Sequence, residues 1–194
     1  MQLLVTPPRP ALRLTLAPTV VAIPDDQRII GGPDLPWARM VELSRRVRTQ
    51  MPLWEAEAIA SAYTTLGQIS GIGSLIPFAQ GLHETGWWTS QRWVLSFNPA
   101  GLGATNDGQW GGHFETVAAG IWAQYAHLLA YAAIDAQLRL PQRLLVAFDP
   151  RLSALVRLGW RGIAPRWIDL STRWAWPGTT YGQRVLQVAR EIAQ

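Results

Sequence analysis

A chain of 194 residues is long enough for one domain with a sizeable core and too short for two full ones. Hydrophobic residues make up 48% and charged residues 15%, yet no apolar run reaches the roughly 20 residues of a membrane span, so a soluble protein without one is expected. The 17 basic side chains, all arginine, leave a net charge of +4 that favours polyanionic partners; only Arg45, Arg46 and Arg48 cluster, and this dispersion argues against nucleic acid.

The absence of cysteine excludes a disulfide framework and a thiol nucleophile, and three histidines give little basis for a zinc site, so no metal or other cofactor is expected. Prolines, Arg9 and Arg13 interrupt the first residues where a signal peptide needs an unbroken apolar stretch, so no export signal is expected. Eleven tryptophans are more than packing in a small domain usually demands, and aromatic faces also stack on the apolar faces of sugar rings.

Residues 1–33 read as a proline-rich arm, with β-like stretches at Leu12–Leu16 and Thr19–Ile23, leading into a domain over 34–194. Asp34 as N-cap and Pro36 in the first turn predict a helix to about Thr49. Pro52 opens a second helix with Leu53, Ala56, Ile59, Ala60, Tyr63 and Leu66 at helical spacing and Glu55 and Glu57 on the outer face. After Gly71-Ile72-Gly73, Leu75–Thr85 is apolar nearly all round until His83-Glu84-Thr85, the pattern of a buried helix with a polar C-terminal end. Glycines, Pro99 and Asn106-Asp107-Gly108 between Trp93 and Phe114 predict loops and a small β-hairpin turning at Asp107-Gly108. Thr116 caps a helix to about Ala136 with Ile121, Tyr125, Leu128 and Leu129 inward; Asp149-Pro150 starts a short helix and Thr180 the last one. The expected class is α+β, predominantly helical: a helical bundle with a small β-hairpin lobe and a cleft between them.

Glu84 stands out chemically. A carboxyl group at the end of an apolar helix, flanked by Leu82, Trp87 and Trp88, is desolvated, and desolvation raises its pKa. A carboxylic acid protonated near neutral pH is what glycosidic cleavage needs, because the leaving oxygen must receive a proton as the bond breaks. The competing reading is a structural carboxylate paired locally, for instance with Arg92.

The run Ala79-Gln80-Gly81-Leu82-His83-Glu84-Thr85-Gly86-Trp87, with Ser90, resembles the signature of bacterial and phage peptidoglycan glucosaminidases, glycoside hydrolase family seventy-three of the lysozyme-like superfamily. Phe97-Asn98-Pro99-Ala100-Gly101-Leu102-Gly103, then Phe114 with Gly120-Ile121-Trp122-Ala123, then Trp174-Ala175 with Tyr181-Gly182, are similar to three further family segments in the same order. The resemblance implies a lysozyme-like fold, Glu84 as catalytic acid, and hydrolysis of the β-1,4 bond after N-acetylglucosamine in peptidoglycan glycan strands. With no export signal, one catalytic domain and a basic surface, the expected setting is an endolysin or autolysin that acts on the bacterial wall after release from the cytoplasm or as a virion component, and a monomer is expected.

Two departures matter. Trp174 stands where the family has tyrosine, which leaves Tyr181 to supply any phenol. No glutamate matches the family's second carboxylate; Asp107 in the hairpin turn is the nearest acidic residue, Glu115 is its rival, and the 2-acetamido group of the substrate is a third way to attack the anomeric carbon. Trp87, Trp88, Asn98, Trp110 and Trp174 are read as substrate-binding and Trp176 as a cleft residue, whereas Trp37, Trp54, Trp122, Trp160 and Trp167 are read as packing. His83 is either a hydrogen-bond partner behind the acid or a packing residue. A muramidase, or a wall-binding or phage structural module without catalysis, would carry much the same pattern.

Overall fold

The structure, a computed structural model, describes residues 21–103 and 111–194. It is predominantly helical, with eight α-helices among these residues: α1 (Trp37–Val47), α2 (Leu53–Ser70), α3 (Leu75–Glu84), α4 (Gln91–Ser96), α5 (Val117–Ala132), α6 (Leu140–Ala147), α7 (Leu152–Arg157) and α8 (Tyr181–Ile192). Two 3-10 turns, Asp135–Gln137 and Trp167–Leu170, punctuate the second half. Strand pairing among the described residues is limited to two isolated bridges, Arg28 with Arg166 and Ser171 with Ala175. Among those residues no helix is long and apolar enough to cross a membrane.

The helix at the centre is α5. Thr116 caps it as expected, its side chain accepting from the Ala119 N–H at 3.1 Å. Ile121, Tyr125, Leu128 and Leu129 are buried, but so are Gln124, Ala126, His127 and Ala130, because α2 and α6 both pack against it. A helix covered on several sides loses its polar face. It ends at Ala132, before the Ala136 expected, and α6 follows without a clear sequence signal: Leu140 and Leu144 are exposed while Leu145 and Val146 are buried, so hydrophobicity marks no single face.

Long-range partners redirect two acidic residues. Asp34 does not cap α1, which begins after Pro36; its carboxylate accepts from the Ser74 N–H at 2.9 Å instead. Glu55, expected on the outer face of α2, is buried and accepts from the indole N–H of Trp93 at 2.8 Å and from Arg48 at 2.6 Å. The charge is tolerated there because α4 brings a donor and α1 ends beside a guanidinium.

Of the proline-rich arm, Leu12–Leu16 lies outside the described residues. From Val21 onward the chain is folded onto the bundle, with Ile23 and Ile29 buried, Ile29 N–H donating to the Pro165 carbonyl and Gly31 N–H to the Gly71 carbonyl. The turn of the expected hairpin, with Asp107 and Trp110, also lies outside the described residues. Its flanks meet: Gly112 N–H donates to the Leu102 carbonyl at 2.7 Å and Phe114 N–H to the Ser96 carbonyl at 2.9 Å.

Candidate active site

The local sequence after α3 turns the chain sharply. Thr85 donates its hydroxyl to the Gly81 carbonyl at 2.7 Å and accepts from the Trp88 N–H at 2.9 Å, while Gly86, Trp87 and Trp88 take φ of 54°, 62° and 64°. Two consecutive tryptophans in the left-handed region cost about 1–3 kcal/mol each, and persist only where surrounding structure over-determines them. Here the determinant is the side chain of Trp88, which enters the core against Trp93 (centroids 4.6 Å apart), Phe78 (5.7 Å) and Tyr63 (6.4 Å). Gly81 makes room for it: a Cβ there would lie 2.6 Å from the Trp88 ring and 2.4 Å from the Tyr63 hydroxyl. Trp88 is thus a fully buried packing residue and not the sugar-stacking one expected, whereas Trp87, three residues after Glu84 in the chain, is left 38% exposed.

Glu84, in the last turn of α3, is partly buried, and burial raises its pKa to about 7; hydrogen bonds from Tyr181 and Trp174 and the charge of Arg92 act in the opposite direction. None of the six ion pairs among the described residues includes Glu84, so the local pairing with Arg92 does not form. Nor, among the described residues, is a second carboxylate one of the groups acting on it. Its other oxygen faces Gly101, where a Cβ would come within 3.5 Å of Oε2.

Behind Glu84 runs a directed chain of hydrogen bonds. Tyr63 donates to Gln124 Oε1 at 2.7 Å, Gln124 Nε2 to Gln80 Oε1 at 2.8 Å, Gln80 Nε2 to the Tyr181 hydroxyl at 2.7 Å, and Tyr181 to Glu84 Oε1 at 2.6 Å. Donor arithmetic sets its direction: a hydroxyl that accepts from Gln80 has its single proton free for Glu84. Four helices, α2, α5, α3 and α8, each supply a member, so the acid is held by the bundle and not by a loop. Tyr181, 5% exposed, is the immediate partner of the acid. The helical positions of Tyr63, Gln80 and Gln124 read as core, and the only trace in the sequence is two glutamines inside otherwise apolar helices.

Trp174 stacks on Tyr181, with centroids 6.3 Å apart and planes at 10°, and packs edge-on against His127 at 5.0 Å. The indole therefore forms a wall against Tyr181 and His127, and it favours the charged form of Glu84. A cavity of about 440 Å³ opens at Glu84 between His83, Pro177, Thr179, Tyr181 and Arg184. His83 packs on the Tyr181 ring at 6.0 Å, and burial followed by the charge of Arg184 lowers its pKa. Trp176, 74% exposed, projects from the segment that forms one rim.

Asn98, expected to meet substrate, is buried and organises the glycine-rich loop. Its Nδ2 donates to the Leu102 and Gly112 carbonyls at 3.0 and 3.1 Å, and its Oδ1 accepts from the Leu102 N–H at 3.0 Å. That loop places Gly101 against Glu84. Asn98→Asp removes both donations; the Leu102 carbonyl keeps the Gly112 N–H while the Gly112 carbonyl loses the Asn98 donor, so a cost of about 1–3 kcal/mol is expected, measurable as a lower thermal midpoint at pH 7.

The remaining tryptophans divide differently from expectation. Trp167 is buried as read, but Trp37, Trp54 and Trp122 are exposed on the bundle surface, since each falls on the outer side once its helix has paired. Trp160 is half-buried in a cavity wall. Glu115 is exposed just ahead of α5, and no group of three or more His, Cys, Asp and Glu side chains among the described residues is gathered as a metal site. Comparison with protein-family models, with curated proteins and with solved structures finds no match to this chain.

Proposed function

We propose that the chain is a peptidoglycan hydrolase that cuts the β-1,4 bond after N-acetylglucosamine, on a lysozyme-like bundle, with Glu84 as general acid. The observation that carries this reading is a carboxyl group whose pKa burial lifts to about 7, at the mouth of a cleft and held from behind by Tyr181. Near neutral pH a substantial fraction of Glu84 is protonated and able to donate to the glycosidic oxygen as the bond breaks. The Tyr181 hydroxyl then stabilises the carboxylate left behind, because its hydrogen bond favours the charged form. With no second carboxylate acting on Glu84 among the described residues, attack on the anomeric carbon falls to the substrate's own 2-acetamido oxygen or to Asp107, which lies outside them.

Trp87 supplies sugar stacking beside the acid and Trp88 holds the turn that carries it. Trp87→Ala is expected to weaken glycan binding with little change in thermal midpoint, whereas Trp88→Ala should lose about 3–5 kcal/mol of stability, the cost of truncating a buried tryptophan. Calorimetric titration with chitotetraose, set beside thermal melts of both variants, separates the two roles.

The reaction itself is tested on purified peptidoglycan reduced with borohydride, by mass spectrometry of the fragments released by wild type and by Glu84→Gln. New reducing-end N-acetylglucosamine from wild type alone is the expected result. New reducing-end N-acetylmuramic acid would make the protein a muramidase, and intact glycan from wild type would make it a wall-binding module without catalysis. The proposed setting, an endolysin or autolysin acting on the wall, follows from the same cleavage.

A further inference from the structure

A second cavity is lined in part by Gly101, which adjoins Glu84, and by Trp174. It holds about 110 Å³ and is walled by Leu102, His127, Tyr131, Arg151, Trp160 and Arg173, in addition to Gly101 and Trp174. A cavity of about 150 Å³ accepts a benzene ring, so this one suits a small substituent and not a second N-acetylated sugar. Its charge is uneven. Arg151 and Arg173 both act on the Tyr131 phenol at its wall, and neither guanidinium is in any ion pair among the described residues.

Behind that wall Asp149 is fully buried and fully engaged. It accepts from His127 Nδ1 at 2.9 Å and from the Arg151 N–H at 2.8 Å, which fixes the imidazole ring and anchors the backbone that carries Arg151. Arg173 is braced in turn: its Nη1 donates to the Asp169 carbonyl at 2.9 Å, and its own carbonyl accepts from Tyr131 at 3.2 Å. The Arg173 guanidinium is thus held in place and Arg151 is carried on an anchored backbone at one small cavity, with Asp149 behind Arg151 and Asp169 near Arg173. Guanidinium groups recognise a carboxylate by paired, charge-assisted hydrogen bonds.

We infer that this cavity is a carboxylate-binding site that reads the acidic substituent of the muramoyl sugar adjoining the bond at Glu84. Its position relative to the scissile bond rests on the hydrolase reading; its preference for a carboxylate does not. Two sources of that carboxylate are attached to the same sugar, the lactyl group itself and the peptide stem that extends it. Gly101 and Trp174 line this cavity and both adjoin Glu84 itself, so a sugar placed at Glu84 has its neighbour's substituent within reach of Arg151 and Arg173.

The test is a binding measurement that needs no turnover. Tryptophan fluorescence titrations with N-acetylmuramic acid and N-acetylglucosamine compare two sugars that differ only in the lactyl ether, and N-acetylmuramoyl-L-alanyl-D-isoglutamine moves the free carboxylate onto the stem. Wild type is expected to bind a carboxylate-bearing probe at least tenfold more tightly than N-acetylglucosamine. Arg151→Gln should abolish that preference while leaving N-acetylglucosamine affinity unchanged, which also reports an intact fold, and Arg151→Lys should restore part of it. Preference for N-acetylmuramic acid identifies the lactyl group, and preference for the dipeptide alone identifies the stem. Equal binding of all three probes by wild type, or a preference that survives in both Arg151→Gln and Arg173→Gln, overturns the inference. If reduced peptidoglycan stays intact while the arginine-dependent preference is present, the hydrolase reading fails and the carboxylate site stands.

Discussion

Glu84→Gln is expected to lower glycan turnover by about 10²–10⁴-fold, the range attributed to a positioned proton donor, and at the same time to stabilise the fold above neutral pH. The second effect follows from the sign of the shift. Glu84 titrates near 7 in the folded chain against an ordinary value of 4.5, so between those values the native state binds more protons than the unfolded one. Stability therefore falls as pH rises from about 4.5 to 7, by an amount on the order of 2–3 kcal/mol for a shift of this size. Gln carries no such charge. The variant and wild type should melt alike below pH 4.5, and the variant should melt higher at pH 8 by several degrees. A wild-type rate that declines as pH rises through about 7 belongs to the same prediction. Equal melting temperatures at pH 8 would mean that Glu84 is not desolvated, and the argument for the acid would fall with them.

Gly182→Ala should be a strongly damaging single-methyl change beside Tyr181. Inside a helix, alanine is favoured over glycine by about 1 kcal/mol, so propensity alone predicts a more stable protein. Packing predicts the reverse. A Cβ at this second residue of α8 would lie 2.1 Å from the Trp167 carbonyl oxygen and 2.5 Å from the Ile168 Cα, both backbone atoms that no rotamer change can move aside. Overpacking of this kind costs about 1–3 kcal/mol, and with two backbone contacts the upper end or beyond applies, so packing wins by about 2 kcal/mol. For a chain of this length that is a fall of about 4–8 °C in the thermal midpoint. Because α8 must back away from the Trp167–Leu170 turn, Tyr181 should also retreat from Glu84. Losing that donor raises the Glu84 pKa further, which moves the alkaline limb of the rate profile upward, and Tyr181→Phe should reproduce the pH shift with a smaller loss of stability. A Gly182→Ala variant melting within a degree of wild type would show that the turn yields freely.

Local chemistry made several elements legible. Thr116 before Val117, proline at the opening of α1 and α2, and glycine after Ser70 are signals that act over one turn of helix, and the helices begin or end where they stand. The desolvated position of Glu84 was legible for the same reason, since seven apolar or small neighbours along α3 favour burial whatever packs against them. The hairpin turn with Asp107 and Trp110 falls outside the described residues, so the second acidic group was read from the sequence alone.

The partners were not legible, because they join residues far apart in the chain. Tyr181 reaches Glu84 across 97 positions and Gln124 reaches Gln80 across 44, and helical periodicity reports which face is apolar without saying which polar group it will meet. The same blindness explains Glu55, whose buried carboxylate depends on Trp93, and Trp88, whose inward turn depends on the space left by Gly81. Sequence by itself thus determined a mostly helical chain with one carboxyl group that burial would hold near neutral pH, since both follow from local composition. Only the tertiary structure decided which tryptophans face solvent, which hydroxyl serves the acid and where unpaired positive charge gathers, since those depend on contacts between helices.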